Sequence, residues 1–430
     1  MRIQRQSVIG WALSILLILA GCGAGQTLPS DNESPPITSD YPVATAPQSV
    51  AHENPESDVR QTQTPSDPID DLLGKMSLAE KIGQMVLVGM DGTKLQPEIG
   101  KLIKDRHVGG IILYSKNITS SAQAVRLLNA LKQANRDAAA RLPLLLSADQ
   151  EGGRVSRLPK EITDFPSSMI VGDTNDTKYA YQVGASLGEA MKQFGFNMDF
   201  APVLDVNTNP DNPVIGDRSF GAAADTVSRI GVQVMSGIQS QGVIPVVKHF
   251  PGHGDTSVDS HKGLPVVEHS LQRLRSIEFA PFSAAISEGA PVVMVGHILM
   301  SELDPNTPAS MSRIVIQNYL RDELRFNGVV ITDDMTMEAI GETAAIGPAA
   351  VQAVLAGADI VLVGHDSGQQ MAVLDALMSA AQSGKLPQKA IDASVYRIVK
   401  MKQDFRLSDQ PTATVDVEAL NRHIEAALKR

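Results

Sequence analysis

Residues 328–335 read GVVITDDM, a run of β-branched side chains that leads into two aspartates. Such a run is typical of a strand whose two faces are both buried, as strands of parallel sheets are. Seven further runs of similar length and character occur along the chain, and amphipathic stretches separate them. Together they predict eight strands, at 84–90, 109–115, 142–149, 197–205, 243–250, 291–298, 328–333 and 359–364.

The stretches between these runs have helical periodicity. They include predicted helices at 122–139, 226–239, 271–287 and 370–381. Ser77 and Glu80 have the spacing of a capping box, which would start a helix ahead of the first strand. Eight strand–helix units in roughly 330 residues indicate an α/β fold with a single (β/α)8 TIM-type barrel. The alternative is an open, doubly wound sheet. No Gly-x-Gly-x-x-Gly turn follows the first strand, which disfavours the dinucleotide-binding form of that sheet.

The start of the chain has the features of a targeting segment. Arg2 and Arg5 precede the apolar run 8–20, which is shorter than the about 20 residues of a membrane span and is typical of a secretory signal. Cys22 directly follows Leu-Ala-Gly, a pattern that resembles a bacterial lipobox, in which this cysteine is acylated. We therefore expect a lipoprotein signal peptide at 1–21, lipidation of Cys22 and a location in the cell envelope. The lipid would anchor the chain on the extracytoplasmic side of a membrane.

The next segment, 22–68, is rich in proline, serine, threonine and acidic residues. It has too few large apolar side chains to offset the entropy cost of ordering, so we expect a disordered tether. The barrel is expected at 69–408. A C-terminal tail at 409–430 contains one amphipathic stretch, 417–428, which is too short for a further domain.

The composition restricts the possible functions. The 430-residue chain carries a formal net charge of -11, so an extended basic surface for nucleic acid is not expected. A single cysteine excludes an internal disulfide framework and a cysteine-rich metal site. Aromatic residues make up only 4%, and the one tryptophan, Trp11, lies in the predicted signal peptide. A ligand would therefore be held mainly by polar groups.

Titratable residues lie at or just after the ends of six predicted strands. They are Asp149, Asp205, Lys248 with His249, His297, Asp333 and His365. Barrel enzymes carry their chemistry on the rim formed by the carboxyl ends of the strands, so these side chains are expected to face one pocket. A single acidic residue at such a position often only caps the next helix. Six occupied strand ends indicate an enzyme.

The segment 248–261, KHFPGHGDTSVDSH, contains most of the candidate groups for proton transfer. Its proline and glycines predict a long loop after the fifth strand. We favour a dyad in which Asp259 orients and charges the imidazole of His261, because histidine can give and take back a proton near neutral pH. In the alternative, His249, His253 and His261 bind a metal ion, but the loop lacks rigid helical spacing and Lys248 adds an unfavourable positive charge.

Two other segments supply carboxylates and guanidinium groups. Asp333 ends a buried strand, where catalysis and helix capping are equally compatible with the sequence, whereas Asp334 is expected to cap the following helix. In residues 149–157, DQEGGRVSR, two glycines permit a tight turn beside a ligand. The donors Arg157 and, after the fourth strand, Arg218 could bind hydroxyl or carboxylate groups. Glu151 and Arg154 could simply pair with each other.

These segments together resemble glycoside hydrolase family 3, specifically its bacterial β-N-acetylglucosaminidases (β-N-acetylhexosaminidases). The resemblance extends from about residue 69 to about residue 405, and the loop that ends in Asp259-Ser260-His261 is its most specific part. It implies that Asp333 is the nucleophile and that His261, assisted by Asp259, is the acid/base. It further implies that the substrate, a terminal N-acetylglucosamine, is bound by Asp149, Arg157, Arg218, Lys248 and His249, with no cofactor and no catalytic metal.

The implied function is that of a retaining exo-β-N-acetylglucosaminidase, which forms a covalent glycosyl-aspartate intermediate. Retaining glycosidases usually take their second catalytic group from a carboxylic acid, and here a histidine replaces it. In an envelope the expected substrates are peptidoglycan fragments or related short glycans, and either water or phosphate could accept the glycosyl group. The alternatives are a metal-dependent TIM-barrel hydrolase that uses the histidine loop, and a non-catalytic lipoprotein that binds cell-wall fragments.

Overall fold

The computed structural model describes residues 67–260, 262–341 and 343–429. The predictions of a signal peptide, an acylated Cys22 and a tether up to residue 66 lie outside the described residues. The strands are β1 (Val86–Gly89), β2 (Gly110–Ile112), β3 (Leu145–Ala148), β4 (Met198–Asp199), β5 (Ile244–Phe250), β6 (Val266–Val267), β7 (Val292–Val295), β8 (Leu299–Met300), β9 (Val329–Thr332) and β10 (Val361–Val363).

Fourteen α-helices lie within the described part of the chain. They are α1 (Pro68–Lys75), α2 (Leu78–Gln84), α3 (Pro97–Arg106), α4 (Ser121–Asp137), α5 (Ser168–Asp173), α6 (Thr177–Phe194), α7 (Ala224–Ser240), α8 (Leu271–Ser276), α9 (Ala280–Ser287), α10 (Glu338–Gly341), α11 (Ile346–Ala356), α12 (Ser367–Gln382), α13 (Gln388–Asp404) and α14 (Val417–Leu428). A π-helical segment, Ile314–Glu323, takes the place of the helix between β7 and β9. No described helix combines the length and apolarity needed to cross a bilayer.

Eight of the strands form a parallel sheet in the order β10-β1-β2-β3-β4-β5-β7-β9. The sheet closes on itself through the parallel bridge between Ile331 and Ile360, supported by the bond from the Ile360 N–H to the carbonyl of Val330. Buried Asp359 adds to this seam, because its Oδ2 accepts a bond from the Val330 N–H at 2.8 Å. The predicted barrel and its eight strands are confirmed. β6 and β8 form a separate two-stranded ribbon.

Two elements differ from the prediction for local chemical reasons. β4 covers two residues instead of nine, because Pro202 lacks an N–H and the ladder continues only as a bridge between Val203 and Lys248. The predicted helix at 271–287 is divided into α8 and α9. The break falls at Ile277, and Pro281 lies in the first turn of α9, where its missing N–H is tolerated.

The amino-terminal ends of the strands are tied together by Lys402 of α13. This lysine is fully buried, and its Nζ donates to Gln84 Oε1 at 2.8 Å, to the Gly109 carbonyl at 3.0 Å and to the Pro143 carbonyl at 2.7 Å. Each of these acceptors lies just before one of the strands β1, β2 and β3. The described chain also enters at this end, since Asp67 accepts a 2.6 Å bond from the hydroxyl of Tyr396 in α13.

The C-terminal tail packs on the outside of the barrel. Asp409 accepts bonds from the side chain of Asn135 and the N–H of Leu144, and Thr412 exchanges bonds with Asn129 in α4. α14, which corresponds to the predicted amphipathic stretch, contacts α6 and buries its apolar side. The tail therefore covers part of the outer surface of the barrel.

Candidate active site

A cavity of about 480 Å³ opens at the carboxyl ends of the barrel strands. It is lined by all five predicted substrate-binding residues, Asp149, Arg157, Arg218, Lys248 and His249, and by Asp333, His253 and His365. Asp205 and His297 are fully buried and support residues that line it. Asp259 lies in the loop after β5, where its carbonyl accepts a bond from Lys262 N–H at 2.8 Å. His261 lies outside the described residues.

Lys248 is the centre of a buried charge cluster. Its Nζ lies 2.7 Å from Asp149 Oδ1 and 2.8 Å from Glu151 Oε1. Arg218 holds the same glutamate in a bidentate pair, with Nε–Oε2 and Nη2–Oε1 distances of 2.7 and 2.8 Å. Burial alone would raise the pKa of Glu151, but the charges of Arg218 and Lys248 outweigh burial and hold that pKa well below its ordinary value. The cluster therefore stays ionised and keeps Lys248 in a fixed position.

The pairing between Glu151 and Arg154, which the sequence left open, is not the one that the structure shows. Arg154 instead contacts Asp217, with its Nε 2.8 Å from Oδ1, and donates to the carbonyl of Val214. Glu151 is drawn inward by Arg218, which comes from the loop after β4. Sequence proximity suggested the first pairing, and only the closure of the barrel brings Arg218 to the same place.

The turn after β3 is organised by Gln150, which is completely buried. Its Oε1 accepts bonds from the backbone N–H groups of Arg157 and Leu158 at 2.8 and 3.1 Å. The guanidinium of Arg157 lies beside Asp149, with Nη2 3.8 Å from Oδ2, and its buried Nε has no partner among the described residues. Arg157 therefore retains hydrogen-bond donors for a ligand in the cavity.

Asp199 lies under this turn and was not identified from the sequence. Its Oδ1 accepts a 2.9 Å bond from the N–H of Gln150, and its side chain is fully buried. Burial raises the pKa of Asp199 well above its ordinary value. Burial thus favours the uncharged form of this carboxyl beside Asp149 and Glu151. In the sequence Asp199 stands near the start of the predicted fourth strand, 197–205, and has no distinguishing signal there.

Asp205 fixes the imidazole of His249. Asp205 Oδ2 lies 2.8 Å from His249 Nδ1, so the Nδ1 proton is directed at the carboxylate and Nε2 is the ring atom left for the cavity. Oδ1 of the same aspartate accepts the N–H groups of His249 and His253. Burial would raise the pKa of Asp205, but the neighbouring histidines outweigh burial and lower it. A charged aspartate thus holds both ends of the Pro251-Gly252 turn.

His253 has a structural role in the loop after β5. Its Nδ1 lies 2.6 Å from the hydroxyl of Thr256, and its Nε2 lies 3.3 Å from that of Ser260. The Thr256 hydroxyl donates to the carbonyl of His253, so Nδ1 carries the proton and Nε2 accepts from Ser260. Burial lowers the pKa of His253 to about 4, which keeps the ring neutral.

The alternative metal site would use His249, His253 and His261, and the last of these lies outside the described residues. Nδ1 of His249 is hydrogen-bonded to Asp205. Both ring nitrogens of His253 are hydrogen-bonded, Nδ1 to Thr256 and Nε2 to Ser260. Over residues 67–260, 262–341 and 343–429, no group of three His, Cys, Asp or Glu side chains has the geometry to hold a metal ion.

Asp333 projects from the end of β9 into the cavity. Its N–H donates to the carbonyl of Val295 at 2.9 Å, and its Oδ1 accepts from the N–H of Asp334 at 2.8 Å. The backbone behind it is fixed by His297, whose Nε2 lies 3.0 Å from the carbonyl of Asp334 while Nδ1 lies 2.7 Å from Ser310 Oγ. Burial lowers the pKa of His297, so the neutral ring donates through Nε2. The carboxylate of Asp333 is thus held on a rigid support.

Asp334 caps the turn that follows β9, whereas the helix that it was expected to cap, α10, begins only at Glu338; its side chain also joins two strands. Its Oδ1 accepts from Thr336 N at 3.0 Å and from Gly364 N, at the end of β10, at 2.8 Å. Its Oδ2 contacts the hydroxyl of Tyr114 at 3.3 Å. Tyr114 stacks on His365, with ring centroids 4.7 Å apart, and both rings line the cavity. Tyr114 was missed because a single tyrosine after an apolar run has no distinctive signal.

The arrangement provides two kinds of chemical group on one cavity. One side carries buried, oppositely charged groups that can bind several hydroxyls of a sugar, and the other carries the fixed carboxylate of Asp333. A carboxylate in this position can attack an electrophilic carbon or stabilise a positive charge that develops on it.

Comparison with known proteins agrees with this geometry. The model of the glycosyl hydrolase family 3 N-terminal domain matches residues 77–401. Beta-hexosaminidase LpqI of Mycobacterium tuberculosis is 36% identical over 336 residues, which cover 76% of this chain and 83% of that protein. Beta-hexosaminidase A of Pseudoalteromonas piscicida is 35% identical over 361 residues, and the match spans 78% of this chain but only 60% of that relative.

The solved structures point to the same family. A glycoside hydrolase family 3 beta-N-acetylglucosaminidase from Paenibacillus sp. superposes with a TM-score of 0.77 at 42% identity, over 82% of this chain and 68% of that one. The structure of M. tuberculosis LpqI superposes with a TM-score of 0.71 at 33% identity, over 78% of this chain and 96% of that one. The chain therefore belongs to glycosyl hydrolase family 3, among relatives of the β-N-acetylhexosaminidase type.

Proposed function

We propose that the protein is a retaining exo-β-N-acetylglucosaminidase, which releases terminal N-acetylglucosamine from short glycans such as peptidoglycan fragments. The observation that carries this proposal is the position of Asp333, whose carboxylate shares one cavity with the Lys248 charge cluster. The names of the relatives give the sugar, and the size of the cavity suits one terminal residue.

Asp333 is proposed as the nucleophile. Its attack on the anomeric carbon would break the glycosidic bond and form a glycosyl ester, which a water molecule then hydrolyses with overall retention. The bond from the N–H of Asp334 to its Oδ1 would help to hold the carboxylate in position for this attack. A rigid support matters here, because a nucleophile held close to its target avoids much of the entropy cost of the reaction.

His261, with Asp259, is proposed as the acid/base. Ser260, the residue before His261, lines the cavity, and its carbonyl accepts a 3.4 Å bond from the N–H of Ala339 in α10. α10 starts five residues after Asp333, so the end of the loop is attached close to the proposed nucleophile. The imidazolium would protonate the leaving oxygen in the first step, and the neutral ring would then take a proton from water.

The five predicted binding residues are proposed to hold the terminal sugar. Asp149 would accept hydroxyl protons while Lys248 and Arg157 donate to hydroxyl oxygens. His249 would offer Nε2, which the contact of Asp205 with Nδ1 directs at the cavity. Arg218 already gives two N–H groups to Glu151, so its main contribution would be to position that carboxylate and, through it, Lys248.

Replacing Asp333 by Asn tests the proposal directly. D333N should lower kcat for 4-nitrophenyl N-acetyl-β-glucosaminide by about a thousandfold or more, because the amide is a poor nucleophile. The thermal unfolding curve should stay close to that of the wild type. D211N, a change at an exposed aspartate on the same end of the barrel, is the matched control and should retain full activity. Substantial turnover by D333N would remove Asp333 as the nucleophile.

Replacing His261 by Ala tests the acid/base. H261A should slow a disaccharide by about 10²–10⁴-fold, because a sugar hydroxyl is a poor leaving group that needs protonation. The first step with a nitrophenyl substrate should be affected far less, since nitrophenolate leaves without a proton. The ratio of the two pre-steady-state rates measures this difference. Equal losses on both substrates would contradict leaving-group protonation by His261.

The same proposal places the enzyme in the cell envelope. An acylated Cys22 would attach it to a membrane on the extracytoplasmic side, where cell-wall glycans are accessible. The support for this location is the sequence of residues 1–22, with its basic start, its apolar run and Leu-Ala-Gly before the cysteine.

A further inference from the structure

Three cavities follow one another from the barrel rim down the outer side of the barrel. The catalytic cavity shares His365 with a second cavity of about 310 Å³, which lies at the ends of β1 and β10. The second shares Glu98 and Ser367 with a third, of about 380 Å³, between α3 and α12. We call the second and third cavities together the α3–α12 groove. It leads directly away from the catalytic cavity.

The near part of the α3–α12 groove is rich in hydrogen-bond acceptors. Asp91, Glu98 and Asp366 line it with carboxylates. Gln370 also lines it and is 2% exposed, and its Nε2 donates to the carbonyls of Gly89 and Val363. Its Oε1 is buried and has no hydrogen-bond partner among the described residues. A buried acceptor without a partner is costly, so a ligand that brings O–H or N–H donors here would be favoured.

The far part of the groove is less polar. Met371, which is 36% exposed, and Leu102 line it together with the aliphatic portions of Lys101 and Arg106. At the other end, where the groove meets the catalytic cavity, the stacked rings of Tyr114 and His365 offer a flat surface. Sugar rings present hydroxyls at their edges and apolar C–H faces, and both find matching surfaces along the groove.

We propose that the α3–α12 groove binds the leaving-group part of an oligosaccharide, so that the enzyme prefers substrates longer than a disaccharide. This inference rests on the proposed function, because the terminal sugar must occupy the catalytic cavity for the chain to leave toward His365. The hydroxyl and acetamido N–H groups of the leaving sugars donate to Gln370 and the carboxylates. The apolar faces of the more distant sugars cover Met371.

The first test measures kcat/KM of the wild-type protein on N-acetylchitooligosaccharides of two to five sugars and on 4-nitrophenyl N-acetyl-β-glucosaminide. We expect kcat/KM to rise about tenfold from the disaccharide to the tetrasaccharide and then to level off, because the groove ends. A value that stays constant with chain length, in a protein that hydrolyses the nitrophenyl substrate, overturns the groove alone. Absence of turnover on the nitrophenyl substrate contradicts the proposed function instead.

The second test blocks the groove. Ser367 is exposed, lies in both parts of the groove and is the first residue of α12 after the N-cap Asp366. S367W should remove the gain with chain length and leave kcat/KM on the nitrophenyl substrate within about twofold of wild type. The control is T177W, because Thr177 is likewise the first residue of a helix with an aspartate N-cap and lines none of the described cavities. An unchanged chain-length profile in S367W overturns the proposal.

Discussion

Glu151 shows how one carboxylate can set the position of several binding groups. It neutralises Arg218 and Lys248 at the same time, and both of its oxygens are used. A buried lysine without such a partner would lose its proton, whereas the charges of Asp149 and Glu151 outweigh burial and raise the pKa of Lys248. Lys248 therefore remains a cation at neutral pH, ready to donate to a hydroxyl group.

Replacing Glu151 by Gln should be costly for stability. The amide keeps the shape but leaves two buried cations undercompensated, so we expect the free energy of unfolding at pH 7 to fall by about 3 kcal/mol. Urea unfolding followed by circular dichroism measures this change. A loss well below 1 kcal/mol would indicate that water already solvates the cluster.

The wild type and E151Q should also differ in how their stability changes at low pH. The folded-state pKa of Glu151 lies below its unfolded value, so its contribution to stability is complete above a pH of about 4.3 and is lost as the pH falls toward the folded-state pKa. The difference between wild type and E151Q should therefore shrink below about pH 4. A difference that grows on acidification would contradict this assignment.

Among individual residues, the sequence predicted those that lie at the ends of strands. Asp149, Lys248, His249 and Asp333 were identified because each comes at the end of an apolar run, and all four line the cavity. The pairing of Glu151 with Arg218 was not identified, since Arg218 is 67 residues away along the chain. Contacts between loops of different strands depend on how the barrel closes, and neither spacing nor periodicity contains that information.

Among the elements, α13 has the clearest mechanical role. The Nζ of Lys402 donates hydrogen bonds to three acceptors, each of which lies just before one of the first three strands. Each of these acceptors would otherwise be a buried polar group without a partner, which costs about 1–3 kcal/mol. The helix therefore holds the amino-terminal ends of neighbouring strands in register.

Replacing Lys402 by Met should loosen this end of the barrel. Met fills the space but leaves the acceptors unpaired, so we expect a loss of about 3 kcal/mol in unfolding free energy and little change in KM. Lys400→Met, in the same helix, removes only an exposed pair with Asp404 and is the matched control. Equal thermal stability of K402M and K400M would contradict the role given to Lys402.

The difference in stability between the wild type and K402M should change with pH in one direction. Burial lowers the pKa of Lys402 to about 7, below the unfolded value of about 10.4. Between these values the unfolded chain holds the extra proton, so the stability of wild type relative to K402M should increase as the pH rises from about 7 to 10. Unfolding midpoints at several pH values measure this trend.

The elements were predictable where one local signal dominates. All eight barrel strands were located because their runs are predominantly apolar, and the capping box of Ser77 and Glu80 starts α2 as expected. The break between α8 and α9 was missed, since the apolar pattern continues across Ile277 and Pro281 is compatible with the first turn of a helix. The π-helical turn that starts at Ile314 has no sequence signal of its own.

For the molecule as a whole, the location of the enzyme can be tested independently of its chemistry. C22A should pass from the membrane fraction to the soluble fraction and should lose all incorporation of radiolabelled palmitate, since the chain has one cysteine. The reason is that each buried methylene of an acyl chain contributes about 0.8 kcal/mol to membrane binding. D333N should be retained on membranes like the wild type, and retention of C22A would contradict acylation.

The contact between Asp67 and Tyr396 has a consequence for how this enzyme can be held. The described chain enters at the base of the barrel, and the cavity that Asp333 lines lies at the opposite end. A load applied through the residues before Asp67 from a solid support therefore acts on the base and not on the mouth. Immobilising the protein by its amino terminus is thus compatible with full access for soluble sugars.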